Sequence, residues 1–329
     1  MKSGTDSPAL FRTPVAIPLP PRLIGVGDTN VCLGSCFAEH IGRKFAESRF
    51  PALVNPMGVL YNPLSIARLL TIHAANAEED FVQHDGLWHT WLGDSELSRP
   101  THEACLQATV TALHTLHTTL RRANHLFLTF GTSRVYLHES RIVANCHRVP
   151  QRLFQEHEAS TEEMALALSD ALESLWQHNP ALQVVLTVSP YRYAKYGFHG
   201  SQLSKARLLL VVDELCRRHP DRIAYFPAYE IVLDELRDYR FYAEDMLHPS
   251  AQAVDYIWQR LCQTWMTEET KEYLMRWDEV QKALNHRPLH PESETFQQFR
   301  NRLSQRIERL KADYPHLRDM DIETEHQQL

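Results

Sequence analysis

Two short stretches, far apart in the chain, carry side chains able to do covalent chemistry. In VCLGSCFAEHIGRKF, residues 31–45, Ser35 and Cys36 stand where an apolar run passes through one tight Gly-Ser-Cys turn into a helical pattern. A hydroxyl or thiol at such a place can attack an acyl carbon once a neighbouring base takes its proton. A thiol at a helix N-terminus and close to a histidine is also expected to ionise more readily than a free cysteine. In YAEDMLHPS, residues 242–250, Asp245 and His248 are separated by two residues and followed by Pro249. A carboxylate so close to an imidazole can fix its tautomer and stabilise its cation, as a general base requires. Each stretch alone is weak. Asp-x-x-His arises often by chance, and a cysteine in a tight turn is commonly just a small apolar residue. Their joint presence carries the reading.

For the two to meet, one scaffold must bring both loops to the same edge. Short apolar runs near 31–33, 52–54, 125–130, 183–188 and 223–226 alternate with helical patterns near 64–76, 103–122, 161–178, 202–218 and 251–264. That alternation predicts an α/β domain with a mostly parallel sheet. The Gly-Ser-Cys turn, Asn55-Pro56, Gly131-Thr132-Ser133 and Ser189-Pro190 each follow a strand-like run. They therefore gather at the carboxyl edge, where functional loops of such sheets sit. The α/β domain is placed over residues 1–265, with an inserted loop or short hairpin near 77–102, and a helical appendage over 266–329. In that appendage Phe296, Phe299, Leu303, Ile307 and Leu310 recur at helical spacing, to pack on the domain or on a second subunit. The chain opens as an extended, Pro-rich arm to about Pro21, and its last residues, IETEHQQL, are expected to fray.

Composition narrows the function classes. The 329 residues are 43% hydrophobic and 23% charged, with a net charge of −7, which gives no electrostatic case for nucleic acid or an anionic membrane. No run approaches the roughly 20 apolar residues of a membrane span, and the Pro-interrupted start argues against a signal peptide. Six scattered cysteines read as reduced thiols of a cytoplasmic protein. Cys32, Cys36 and His40 are spaced by four, but Cys32 lies in the strand run, so the three do not align and no metal site is expected. With eleven glycines and no phosphate-cradling or dinucleotide fingerprint, no cofactor is expected.

Gly34-Ser35-Cys36-Phe37-Ala38 is the motif of the GSCFA family, which the chain resembles over roughly residues 10–290. NPMGVLYNP, FGTSRVY, VANCH, TVSPYRY, QLSKARLLL and YFPAYEIVLDELRDYRFYAEDMLHPS follow in order. That family is in turn similar to the SGNH, or GDSL-like, hydrolases. The resemblance implies a three-layer α/β sandwich with flavodoxin-like layering, acting through a covalent acyl-enzyme. Aligned on the Gly-Asp-Ser block of those enzymes, Cys36 takes the nucleophile place. A shift by one would give Ser35 that role but misplace Gly34. Gly58 takes the place of an amide donor to the oxyanion, where glycine allows close backbone approach. Ser133 stands where an asparagine is usual, so either its hydroxyl donates, or another amide does. Asn145 is the candidate, with a loop Asn bonding its own backbone as the plain alternative.

Arg192, in the loop after a strand, could hold a carboxylate or phosphate of the substrate, or form a surface salt bridge; Lys205 reads as structural. The expected activity is ester hydrolysis on an O-acyl substrate, a small molecule or a carbohydrate. A thiol nucleophile leaves open transfer from a thioester donor. A non-catalytic carbohydrate- or partner-binding module is the rival from another class, supported by the missing serine and asparagine.

Overall fold

The computed structural model describes residues 12–322. Residues 12–20 run extended, as the prolines require, and lie along the body. The Val15 amide donates to Glu235, Arg260 donates to the Val15 carbonyl, and Trp265 Nε1 donates to the Pro18 carbonyl. The expected frayed end, beyond Ile322, lies outside the described residues.

In chain order come β1 (Asn30–Gly34), α1 (Cys36–Glu47), β2 (Ala52–Val54), α2 (Pro63–Thr71), β3 (Phe81–His84), β4 (Leu87–Thr90) and α3 (His102–Leu120). Then follow β5 (His125–Phe130), β6 (Arg134–His138), β7 (Arg141–Val143), β8 (Gln155–Glu158), α4 (Thr161–His178), β9 (Gln183–Val188), α5 (Gly197–Arg218) and β10 (Ile223–Tyr225). A short α6 (Ala228–Glu230) runs into a π turn, and α7 (Ala251–Trp265), α8 (Glu268–Leu284) and α9 (Glu294–Asp313) complete the helices.

Five strands form one parallel sheet in the order β10-β9-β5-β1-β2. Numbered among themselves from the β2 edge they read 2-1-3-4-5, whose switch-point crevice opens between β1 and β5. Alternate residues feed two cores. Val31, Leu33, Leu126, Leu128 and Leu186 pack with α2, α3, α4 and α5. Cys32, Phe127 and Val185 pack on the other face with Phe37 and Phe45 of α1 and Ile257 and Leu261 of α7. A sheet covered on both faces reads as continuous apolar runs, and the result is the expected three-layer α/β sandwich.

The C-terminal helices pack on the α/β body. Tyr273, Trp277 and Val280 of α8 and Leu303, Ile307 and Leu310 of α9 join the α1–α7 core. Tyr273 OH donates to the Ser48 carbonyl at 2.8 Å and Trp277 Nε1 to the Glu47 carbonyl at 2.9 Å, at the end of α1. Near 77–102, β3 and β4 form a hairpin closed by Asp85-Gly86, both at positive φ, the geometry of a two-residue type I′ connection. A second antiparallel sheet, β7-β6-β8, has no counterpart in the sequence reading, because its short strands are largely polar and half-exposed. No helix among the described residues is long and apolar enough to cross a membrane.

Candidate active site

The elbow is built by three consecutive residues with different tasks. Gly34 sits at φ +133°, and a Cβ there would meet the Thr129 carbonyl oxygen at 2.2 Å, so β1 can lie against β5 only with glycine at its end. Ser35 is fully buried and caps α1, its Oγ accepting from the Phe37 amide at 3.3 Å, while its own amide donates to Thr129 O. Cys36 is the first residue of α1 and partly exposed. Its amide, one of the orphan donors of a helix start, makes no backbone–backbone hydrogen bond among the described residues and, with the Phe37 amide, faces the thiol. The ready ionisation expected of this thiol is not what the environment dictates. Burial pushes the Cys36 thiol up, outweighing the Phe37 amide and the Lys205 ammonium, which pull it down. All six cysteines are free thiols.

Asp245 and His248 meet on the loop before α7. His248 Nδ1 lies 2.5 Å from Asp245 Oδ2, and Asp245 Oδ1 accepts from the Leu247 and His248 amides. These bonds hold the Asp245 carboxyl down at about 2. The Tyr191 ring lies against the imidazole, tilted by 37° with the ring centres 4.3 Å apart, and Ser250, two residues on, caps α7. His248 Nε2 has no hydrogen-bond partner among the described residues, and none joins it to the Cys36 thiol. The two groups nonetheless share neighbours. Tyr191 responds to charge at both Cys36 and Asp245, and His40, one turn along α1 from Cys36, responds to His248.

Backbone hydrogen bonds sew the five loops of this edge together. Leu60 donates to Gly34, Gly131 and Thr132 donate to Tyr61, Ser189 donates to Phe130, and Arg192 donates to Leu247. The other expected site residues prove to be engaged within this network. The Gly58 amide donates to Asn55 O at 2.7 Å, and a Cβ on Gly58 would collide with the Asp94 carboxylate, so the close approach made there is by Asp94. The Ser133 hydroxyl is buried and donates to Ser204 Oγ at 3.1 Å. Asn145 Oδ1 accepts from the His147 amide, the loop-bonding alternative. Arg192 makes no ion pair among the described residues. It donates to the Met246 carbonyl and lies over Phe198 at 4.3 Å and Tyr242 at 5.3 Å, clamping the loop that carries His248.

Two groups stand out that the sequence reading did not select. Asn55, at φ +38°, accepts from the Gly34 amide with Oδ1, and its Nδ2 is buried without a partner. It lines a cavity of about 260 Å³ beside Glu39 and Arg43, on the α1 face that also carries Cys36. Lys205 is 2% exposed and donates to the carbonyls of Gly131 and Ser189, at the ends of β5 and β9. A signal for its burial existed, since Lys205 falls on the stripe continued by Leu208, Val212 and Leu215. Among the described residues no group of three or more His, Cys, Asp or Glu side chains is placed to hold a metal ion.

Comparison with known proteins gives two successive matches. A family model described as GSCFA family matches residues 30–261, and one described as GSCFA domain protein, C-terminal domain, matches residues 277–329. No curated protein matches the chain.

Proposed function

The chain belongs to the GSCFA family, and from that membership and the site geometry we propose that it transfers acyl groups through a thioester on Cys36, most simply hydrolysing an O-acyl ester. The observation that carries the reading is the Asp245–His248 pair. An imidazole whose Nδ1 is bound to a carboxylate presents Nε2 as its only free nitrogen, and it does so on the edge that holds Cys36. The capping role of Ser35 supports Cys36 as the attacking group, since the Ser35 oxygen is buried and faces the Phe37 amide.

In this scheme His248 Nε2 takes the thiol proton as Sγ bonds to the acyl carbon. The former carbonyl oxygen becomes the oxyanion, with the Cys36 amide at the helix start and the unpartnered Asn55 Nδ2 as its donors. Collapse breaks the bond to the alcohol, which leaves with the proton from His248. Water, deprotonated by the same nitrogen, then attacks the thioester, and the thiol returns. Hydrogen bonds of this kind commonly tighten only when substrate is bound. A thioester donor or a second acceptor in place of water would use the same atoms. The proposal extends to a carbohydrate O-acyl group as substrate, a cytoplasmic setting, an α/β domain ending near residue 265 whose core the C-terminal helices cover, and pairing of two copies through the outer faces of those helices.

The engaged Gly58 amide and Ser133 hydroxyl favour a second reading, a binding module without catalysis. Hydrolysis of p-nitrophenyl acetate and of an O-acetylated sugar, by the wild type, Cys36→Ala and His248→Ala, decides between them. The catalytic reading expects both variants to lose the wild-type rate on at least one substrate. No turnover above the uncatalysed background by the wild type or either variant would leave the binding module.

A further inference from the structure

Beside His248 the mouth carries an exposed apolar patch built round one cation. Phe198, Tyr239 and Met246 are 53%, 64% and 45% exposed. The Arg192 guanidinium lies over the Phe198 ring at 4.3 Å, Tyr242 at 5.3 Å and Tyr239 at 5.6 Å. Rings against a guanidinium favour its charge and leave its N–H groups to point outward in its plane. Of its five donors one is committed to protein among the described residues, to the Met246 carbonyl at 2.9 Å. No carboxylate pairs with it there. Asp245 is bound to His248, Asp238 caps the turn before Tyr239, and Glu244 is exposed and makes no ion pair among the described residues. A half-buried guanidinium with spare donors and no counter-charge, framed by exposed rings, suits an oxyanion carried on an apolar body. Arg237 and Arg240, exposed on the segment that carries Tyr239, also make no ion pair among the described residues, which favours a doubly charged anion over a singly charged one. The Arg192 amide donates to the Leu247 carbonyl at 3.0 Å and the neighbouring Tyr191 ring lies against the imidazole, so a group held here sits next to His248.

We propose that Arg192, with Phe198, Tyr239 and Met246, forms a subsite for a phosphate group borne on an aromatic or apolar body, and that this group is part of the acyl substrate. The second half rests on the proposed function; the binding itself does not. The guanidinium plane takes two phosphate oxygens side by side, as a fork that a lysine would not reproduce. The exposed rings and the Met246 side chain cover the body that carries the phosphate. The bond to the Met246 carbonyl keeps the fork in place and leaves the rest of its edge for the ligand.

The test is the affinity of the full chain for phenyl phosphate, benzoate and phenol, measured by saturation-transfer NMR on the small molecule. Phenyl phosphate should bind at least about tenfold tighter than phenol, and Arg192→Gln should lose about that factor, the worth of one charge-assisted pair. Phe198→Ala and Tyr239→Ala should each weaken binding severalfold. Unchanged affinity in folded Arg192→Gln would overturn the subsite and leave Arg192 a clamp on the loop. If Arg192→Gln does not fold, the two exposed ring positions decide alone, and unchanged affinity in both overturns it equally. Benzoate bound as tightly as phenyl phosphate would overturn the assignment to phosphate. For the substrate half, 4-acetoxyphenyl phosphate should be hydrolysed with a KM at least about tenfold below that of phenyl acetate, and the advantage should vanish in Arg192→Gln. Equal KM values in the wild type would overturn that half. Failure of the acyl-transfer reading would look different, since phenyl phosphate would bind as expected while neither ester is turned over.

Discussion

Replacing Ser35 by alanine separates a capping hydroxyl from a nucleophilic one. The side chain is fully buried at the N-cap of α1 and accepts a single hydrogen bond, from the Phe37 amide at 3.3 Å. Losing such a cap costs about 0.5–2 kcal/mol, and the Phe37 amide, buried in the α1–α7 core, then has no acceptor. A central value of about 1.5 kcal/mol, divided by an unfolding entropy of about 0.7 kcal/mol/K for 329 residues, gives a melting temperature lower by about 2 °C. Scanning calorimetry of the wild type and Ser35→Ala measures that shift, and esterase assays on the same samples measure activity. The variant should melt slightly lower and keep most of its activity, because Cys36 and its amide are untouched. A variant that melts with the wild type but forms no acyl-enzyme would refute the reasoning and move the nucleophile to Ser35.

Gly34→Ala should be far more damaging than Ser35→Ala, since a Cβ 2.2 Å from the Thr129 carbonyl oxygen forces β1 from β5 at a φ that disfavours alanine. Urea unfolding should show a loss of about 3 kcal/mol or more, and near-wild-type stability would contradict the close approach. Lys205 links stability to pH. Its folded midpoint of about 7 lies below the usual lysine value, so between about 7 and 10 the unfolded chain binds a proton that the folded chain does not. Wild-type stability therefore gains from this group as pH rises through that window and loses it as pH falls. The stability of Lys205→Met relative to wild type should be most favourable near pH 6 and decline towards pH 10; an increment flat with pH would show no perturbed lysine. A chain ending at Trp265 should expose Phe50, which packs edge-on against Tyr273 of α8, bind a hydrophobic dye and aggregate, whereas a soluble truncation with native melting would show an independent α/β domain.

The sheet was legible because a parallel sheet buried on both faces writes unbroken apolar runs, such as HLFLTF and QVVLTV. The order of its strands was not, since pairing depends on crossovers that leave no local trace. The β7-β6-β8 sheet was invisible because QEHE and RVYLH carry no period that separates them from loop. At the site, residue types that act through neighbours in sequence were readable. Asp245 and His248 are three apart, and one tight loop brings their side chains together. Groups whose role depends on distant chain were misplaced. Glycine at position 58 does mark a close approach, but the approaching group is Asp94, which no local pattern announces. The helix-start argument for Cys36 sees the end of α1 but not the burial that outweighs it. Lys205 lay in plain view on an apolar stripe, and reading the stripe would have flagged it.

The central claim is a thioester on Cys36, and trapping it is the most direct test. Wild type, Cys36→Ala and His248→Ala would be incubated with an activated acetyl ester, quenched in acid and weighed intact, with peptide mapping of any adduct. One acetyl group on the wild type, mapped to Cys36 and labile to hydroxylamine, absent from Cys36→Ala and formed much more slowly in His248→Ala, is the predicted result. An adduct on Ser35 or on a surface lysine, or equal adduct formation in all three proteins, would contradict it.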